Sequence, residues 1–212
     1  MTTTSTLDSA IALMSGGQDS TTCLYWALKR YKRVTALAFD YGQPHIIELD
    51  CARVICHQAG VQLLEVELPK IAPIDDSPSM VMPGRNAIML SMAASVAQQR
   101  GAADIIIGAC QSDAAVYLDC RPAFIEAMAS ALQLGVDSKM RIIAPLLHMT
   151  KAQVWALAAE LGILELVINH THTCYAGDHI TLHDWGYGCG ACASCLARAA
   201  GWASHCDRGG LC

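Results

Sequence analysis

The stretch Leu13-Met14-Ser15-Gly16-Gly17-Gln18-Asp19-Ser20-Thr21-Thr22-Cys23-Leu24 decides how the rest of the chain is read. Before it lies a short apolar run, Ile11 to Met14; after it Cys23, Leu24, Ala27 and Leu28 recur at three- and four-residue intervals. That pattern is strand, glycine turn, helix. Two adjacent glycines let backbone N–H groups turn toward a ligand with no Cβ in the way. The following helix adds its unpaired N-terminal donors and the positive end of its dipole. Ser15, Ser20 and Thr21 bring hydroxyls to the same point. Such a turn suits an anion. It lacks the lysine of G-x-x-x-x-G-K-[ST] and the third glycine of G-x-G-x-x-G, so it is neither a Walker loop nor a dinucleotide fingerprint. A plain helix cap needs only one hydroxyl or carboxylate.

The S-G-G-x-D-S pattern of Ser15 to Ser20 resembles the pyrophosphate loop of ATP pyrophosphatases, which transfer AMP from ATP to a carboxyl or carbonyl oxygen and release pyrophosphate. Working outward, Arg33 to Tyr41 reads as a second buried strand ending at Asp40-Tyr41-Gly42-Gln43, and Pro44 suits the first turn of a helix that Gly60 stops. Val61 to Leu68 alternates as a third strand, with Met1 to Ser9 polar and frayed. The β-α-β-α-β order predicts a doubly wound, mostly parallel five-stranded α/β sheet. In such sheets ligands bind beyond the carboxyl ends of the strands, so Asp40 and Gln43 are candidate nucleotide contacts, the alternative being an ordinary turn.

Lys70 to Met82 reads as a loop at a pocket edge, leading into Pro83-Gly84-Arg85-Asn86 and a helix to about Arg100. Arg85 opposes the dipole of that helix, so it suits an anionic partner unless it is a solvated surface arginine. Ala103 to Gly108 is a fourth strand, followed by Gln111-Ser112-Asp113, Tyr117-Leu118-Asp119-Cys120-Arg121 and a helix from Pro122 to near Gly135. Asp113 and Asp119 can accept hydrogen bonds from ring N–H and amino groups, and Arg121 can hold a carboxylate; capping is the alternative for both aspartates. Arg141 to Ala144 is a fifth strand, and Thr150-Lys151-Ala152-Gln153 has capping-box spacing. In ATP pyrophosphatases a lysine after such a Pro-Leu stretch commonly contacts phosphates, and Lys151 occupies that place, with a plain surface lysine as the alternative.

A chain of 212 residues with 53% hydrophobic content buries a substantial core, predicting one domain over 10–165 and a small C-terminal appendage over 166–212. The net charge of −5 argues against a broad nucleic-acid surface but allows a small anion in a local pocket. No apolar run approaches the roughly 18–20 residues that span a bilayer, and Met1 to Ser9 is not signal-like, so a cytoplasmic protein is expected. In that compartment the eleven cysteines read as packed thiols or metal ligands. Cys174, Cys189, Cys192 and Cys195 match a closed, structural four-cysteine zinc site; an iron–sulfur cluster is the alternative, since sulfur ligation alone does not separate the two. Cys23, Cys51, Cys56, Cys110 and Cys120 read as core thiols, Cys206 and Cys212 have no assignment, and His170, His172, His179 and His183 read as surface or pocket residues.

Taken together, S-G-G-Q-D-S-T-T-C-L at Ser15 to Leu24, D-Y-G-Q at Asp40 to Gln43, P-G-R-N at Pro83 to Asn86, D-C-R at Asp119 to Arg121, and T-H-T-C-Y at Thr171 to Tyr175 with the C-G-x-C-x-x-C end resemble the 7-cyano-7-deazaguanine synthase family over nearly the whole chain. The resemblance implies conversion of 7-carboxy-7-deazaguanine, ammonia and ATP to the nitrile, through an acyl adenylate and an amide. It implies a Rossmann-like fold and a homodimer. Met14 to Leu24, Asp40 and Gln43 would bind ATP, with Mg²⁺ and Lys151 offsetting charge on pyrophosphate; Arg85, Asp119 and Arg121 would serve the substrate. The runner-up is a paralogue that joins the activated carboxylate to another amine and stops at the amide. Two departures stand out. Fourteen residues separate Cys174 from Cys189, more than the family usually has, so Ala176 to Gly188 carries an insertion with Asp178, His179, His183, Asp184 and Trp185. Family members also tend to have basic residues after D-Y-G-Q, where this chain has Pro44 and Ile46.

Overall fold

The computed structural model describes residues 7–43, 46–69 and 84–212. Pro44, the loop expected over Lys70 to Met82, and Pro83 lie outside the described residues. Five strands, β1 (Leu7–Leu13), β2 (Tyr31–Asp40), β3 (Gln62–Glu67), β4 (Asp104–Ile106) and β5 (Arg141–Ile143), form one sheet in the order β3-β2-β1-β4-β5. Every pair is parallel, as short apolar runs separated by helices require. Side chains alternate along β1. Ala10 and Ala12 join α1 (Gln18–Leu28) and α2 (Ile47–Gln58) in one core layer, while Ile11 and Leu13 join α3 (Arg85–Arg100) and α5 (Pro122–Gly135) in the other. The core thiols Cys23, Cys51, Cys56 and Cys110 lie in the first layer, and Cys120 is also buried.

The chain leaves β1 toward β2 on one side and returns beside β1 as β4 on the other. The crevice therefore opens at the carboxyl ends of β1 and β4. The Ser-Gly-Gly turn follows β1 there, and α4 (Gln111–Val116) and a 3₁₀ turn, Leu118–Cys120, follow β4. Beyond β5 come α6 (Lys151–Glu160), α7 (Leu164–His170), a hairpin of β6 (Leu182–His183) and β7 (Gly186–Tyr187), and α8 (Ala193–Asp207). The hairpin lies within the insertion. Trp155, Val167, Trp185 and Trp202 build a third apolar cluster that joins α8 and the hairpin to α6 and α7. Among the described residues no single helix is long and apolar enough to cross a membrane.

Two strands begin earlier than the sequence reading places them, and β4 stops at Ile106 rather than Gly108. The polar residues Asp8 and Ser9 belong to β1 rather than to a frayed end. As the central strand it is bonded on both sides, Ser9 pairing with Arg33 while its carbonyl accepts from the Ala103 N–H at 3.0 Å, so backbone bonds hold it whatever its side chains. β2 begins two residues earlier, at Tyr31, whose hydroxyl donates to the fully buried Asp104 at 2.6 Å. Arg141 closes the set with two 2.7 Å bonds to that carboxylate, tying β2, β4 and β5 together. Tyr31→Phe removes one charge-assisted bond and is expected to cost about 1.5–3 kcal/mol in urea unfolding, with activity of the surviving native enzyme unchanged.

Candidate active site

Gly16 fixes the turn after β1. Its φ is +79°, and a Cβ there would stand 2.1 Å from the Glu48 carbonyl oxygen and 2.9 Å from the Ala52 nitrogen of α2. Glycine is needed on both counts. Gly17 is the N-cap of α1 and offers no side-chain cap, which leaves the first N–H groups of the helix for a ligand. Ser20 Oγ accepts from the Ser15 N–H at 3.3 Å and meets Ser15 Oγ at 3.1 Å; the Ser20 and Thr21 hydroxyls both donate to the Gly17 carbonyl, at 3.1 and 2.8 Å. The hydroxyls thus shape the turn, taking up the Ser15 and Gly17 N–H groups, while the first N–H groups of α1 have no side-chain cap.

Lys151 Nζ donates to Asp19 Oδ2 across the crevice. Burial pushes the ammonium pKa down, but the Asp19 and Asp113 carboxylates outweigh it and hold the group charged. Thr150 caps α6 in a capping box with Gln153, so Lys151 is the first residue of a rigid helix. Gly201 of α8 packs on that position. A Cβ on Gly201 would lie 2.5 Å from Lys151 Cβ. Asp19, Cys110 and Asp113 offer ligand atoms within 4.8 Å of one another, and Asp19 Oδ1 is buried without a partner among the described residues.

Other expected residues sit differently. Thr22, Cys23 and Leu24 are enclosed in the core, as is the Met14 side chain, so these side chains support the turn from beneath. Gln18 is also buried, its amide without a partner among the described residues. Asp40 accepts from the Gly42 N–H, while Gln43 accepts from the Tyr41 N–H and donates to the Phe39 carbonyl. Both side chains are thereby folded onto their own turn. Arg85 donates to the Tyr41 hydroxyl at 2.9 Å and stands over its ring, with no carboxylate within ion-pair distance among the described residues. Asp119 caps α3 from another element: its Oδ2 accepts from the Asn86 N–H at 2.9 Å, and Asn86 Nδ2 donates back to the Asp119 carbonyl. Arg121 is exposed and donates to the Ala114 carbonyl at 3.4 Å.

The four expected cysteines converge. Cys189 and Cys195 Sγ are 4.0 Å apart, as are Cys192 and Cys174 Sγ, and the Cys189 and Cys192 N–H groups donate to Cys174 and Cys189 sulfurs at 3.4 Å. Burial pushes the Cys192 thiol up, but surrounding N–H and hydroxyl groups outweigh it and bring the pKa to about 6, favouring the thiolate a metal requires. Cys206 and Cys212, unassigned from spacing, form a disulfide.

Three connections carried no sequence signal strong enough to predict them. His172, expected at the surface or in a pocket, is 1% exposed; its backbone N–H donates to the Gly16 carbonyl at 3.0 Å, bracing the turn from the cysteine segment. Arg198, also 1% exposed, donates to the Trp185 and Val167 carbonyls and the Thr173 hydroxyl. Tyr117 and Tyr175 join by their hydroxyls at 2.9 Å.

Residues 9–77 and 69–206 match the model of the family described as queuosine biosynthesis protein QueC. The 7-cyano-7-deazaguanine synthase of Alkalilimnicola ehrlichii is 44% identical over 231 residues, covering 96% of this chain and 97% of the relative. That of Nitrobacter hamburgensis is 42% identical over 229 residues, covering 94% and 95%. Among solved structures, a 4-thiouridine synthetase–RNA complex with bound ATP has a TM-score of 0.54 at 22% identity, covering 76% of this chain and 42% of that one. NMN synthetase from Francisella tularensis has a TM-score of 0.53 at 15% identity, covering 77% and 65%. These two share the fold of this chain. Near full-length identity above two-fifths, to enzymes of one name, decides more: the chain is an enzyme of the queuosine biosynthesis family QueC, the 7-cyano-7-deazaguanine synthases.

Proposed function

We propose that this enzyme converts 7-carboxy-7-deazaguanine and ammonia to 7-cyano-7-deazaguanine at the expense of ATP, through an acyl adenylate and an amide. A carboxylate does not expel oxide to an amine. Its oxygen first attacks the α-phosphorus of ATP, the bond to the bridging oxygen breaks, and pyrophosphate leaves. Ammonia then attacks the acyl carbon, AMP departs, and the nitrogen loses a proton to give the amide. The amide oxygen then attacks the α-phosphorus of a further ATP and expels pyrophosphate; AMP leaves with that oxygen as the two remaining N–H protons are lost and the C–N triple bond forms.

The observation that carries this reading is the pairing of an uncapped helix N-terminus with the buried Lys151 ammonium at one crevice. The first N–H groups of α1 and Lys151 would stabilise charge developing on pyrophosphate. Arg85, charged and without a carboxylate partner among the described residues, would anchor the substrate carboxylate. The Asp119 cap holds Arg85 and Asn86 in place, a positioning role; Arg121 would act at the rim. Mg²⁺ prefers oxygen donors, so Asp19 and Asp113 rather than Cys110 would hold it, and it would neutralise phosphate charge. For the cysteines, a tetrahedral ion with Zn–S near 2.3 Å needs sulfurs about 3.8 Å apart, close to the 4.0 Å separations found. That supports structural Zn²⁺, held by Cys174, Cys189, Cys192 and Cys195. The third apolar cluster, joining Trp185 and Trp202 to Trp155, supports a seam between an α/β domain over 10–165 and a metal segment over 166–212. Family membership supports a cytoplasmic homodimer acting on a small molecule.

The test is incubation with ATP, Mg²⁺, ammonium and 7-carboxy-7-deazaguanine, with products followed by mass spectrometry. Nitrile with AMP and pyrophosphate is expected. Amide alone, or adenylate with no small-molecule product, would point instead to the amine-ligating paralogue.

A further inference from the structure

We infer that Tyr117, held in place by Tyr175, forms the aromatic wall against which the planar deazaguanine ring stacks, so that the residue following the first metal-site cysteine is a positioning residue for base binding. The inference rests on the substrate proposed above. Tyr117 caps α4, which follows β4 on the carboxyl edge of the sheet and begins beside Asp113 and Cys110 at the pyrophosphate turn. On either side of it Val116 and Leu118 are 69% and 68% exposed. Apolar surface at the rim of an otherwise polar crevice suits a ligand with two apolar faces and a polar edge. Tyr41 is engaged elsewhere, its hydroxyl and ring both meeting Arg85.

The hydroxyl pair fixes the Tyr117 ring at its far end, as the backbone of α4 fixes it at the near end. Tyr175 is itself anchored: it follows the buried Cys174, and its backbone N–H donates to the Cys192 sulfur. Tyr117 in turn is tied to both neighbours of the crevice: its N–H donates to the Asp113 carbonyl at 2.7 Å, and its carbonyl accepts from the Cys120 N–H at 3.2 Å, next to the Asp119 that caps α3. Tyr117 is thereby held both to the group beside the phosphates and to the end of α3 that begins with Arg85, the candidate carboxylate anchor, which suits a wall for the ring carrying that carboxylate. The cysteine segment, which also braces the turn through His172, would thereby set the position of one wall of the base pocket.

Calorimetric titration of the full, metal-bearing enzyme with 7-carboxy-7-deazaguanine tests this. Tyr117→Ala is expected to weaken base binding about tenfold or more, the scale of one lost stacking contact, with ATP affinity and metal content unchanged. Tyr117→Phe restores most of the affinity, since the ring remains, and Tyr175→Ala gives a smaller loss than Tyr117→Ala. Wild-type affinity in Tyr117→Ala overturns the inference, as does a Tyr117→Phe loss equal to that of alanine, which would assign the effect to the hydroxyl alone. Failure of the wild-type enzyme to bind the base overturns the substrate reading itself.

Discussion

Lys151→Met is expected to lower kcat/KM for ATP by about 10²–10³, the range for removing one preorganised group from a developing anion. The ammonium is well placed for this. It is largely buried, so water screens it little, and its charge is maintained by Asp19 and Asp113. Methionine keeps the length and packing of the stem, so the fold should persist, but the Asp19 carboxylate would then face incoming phosphates without its cation. Gly201→Val separates position from charge. A side chain at Gly201 meets Lys151 Cβ first, so α6 must shift or α8 must lift, and the ammonium leaves its place while remaining charged. At least a tenfold fall is expected, since a displacement near 1 Å can cost about 10² in rate. Steady-state kinetics at saturating deazaguanine substrate read both variants. A Lys151→Met enzyme within threefold of wild type would remove Lys151 from the chemistry.

The residues that place Lys151 show which features the sequence announces. The Thr150–Gln153 box is local, four adjacent positions whose spacing matches their hydrogen bonds, and it was legible. So was α5, bounded by Pro122 and Gly135 as expected from proline at a start and glycine at an end. The parallel five-stranded sheet followed from apolar runs alternating with helical periods, because right-handed crossovers allow few other arrangements. Gly201 was not legible, since its partner lies fifty positions away and one glycine in a small-residue helix looks like any other. The Tyr31–Asp104–Arg141 set fails for the same reason, its members being 73 and 37 residues apart. Asp40 and Gln43 illustrate the converse. Their types and place beyond a strand suggested ligand contacts, yet short polar side chains next to a glycine bond most readily to their own backbone. Asp119 does cap a helix, but one from a distant segment, so no spacing rule could name Asn86 as its partner.

Arg198→Met is expected to lower the thermal midpoint by about 6–12 °C and to loosen the metal site and the pyrophosphate turn together. The guanidinium is enclosed, with burial bringing its pKa down to about 10, so it still carries its charge at neutral pH. It has no carboxylate partner among the described residues and instead satisfies three acceptors: the Trp185 carbonyl of the insertion at 2.9 Å, the Val167 carbonyl of α7 at 2.8 Å and the Thr173 hydroxyl at 2.7 Å. Methionine fills much of the volume but donates to none of them. Each orphaned acceptor costs about 1–3 kcal/mol, partly offset because a charge need no longer be desolvated, so a net loss near 3 kcal/mol follows. At about 2–4 °C per kcal/mol for a chain of this size, that gives the stated shift. The functional consequence comes from neighbours. Thr173 lies between His172, whose N–H braces Gly16, and Cys174, so releasing it frees the turn and one metal ligand at once. ATP KM should rise and metal should be lost faster to a chelator, with Arg198→Lys recovering part of both through its ammonium donors. Calorimetry, chelator-monitored metal release and ATP kinetics on the same preparations check the coupling. A midpoint within 2 °C of wild type would show that the buried charge costs as much as its three bonds return. A large shift with unchanged ATP KM would show that the cysteine segment is stabilised independently of the turn it touches.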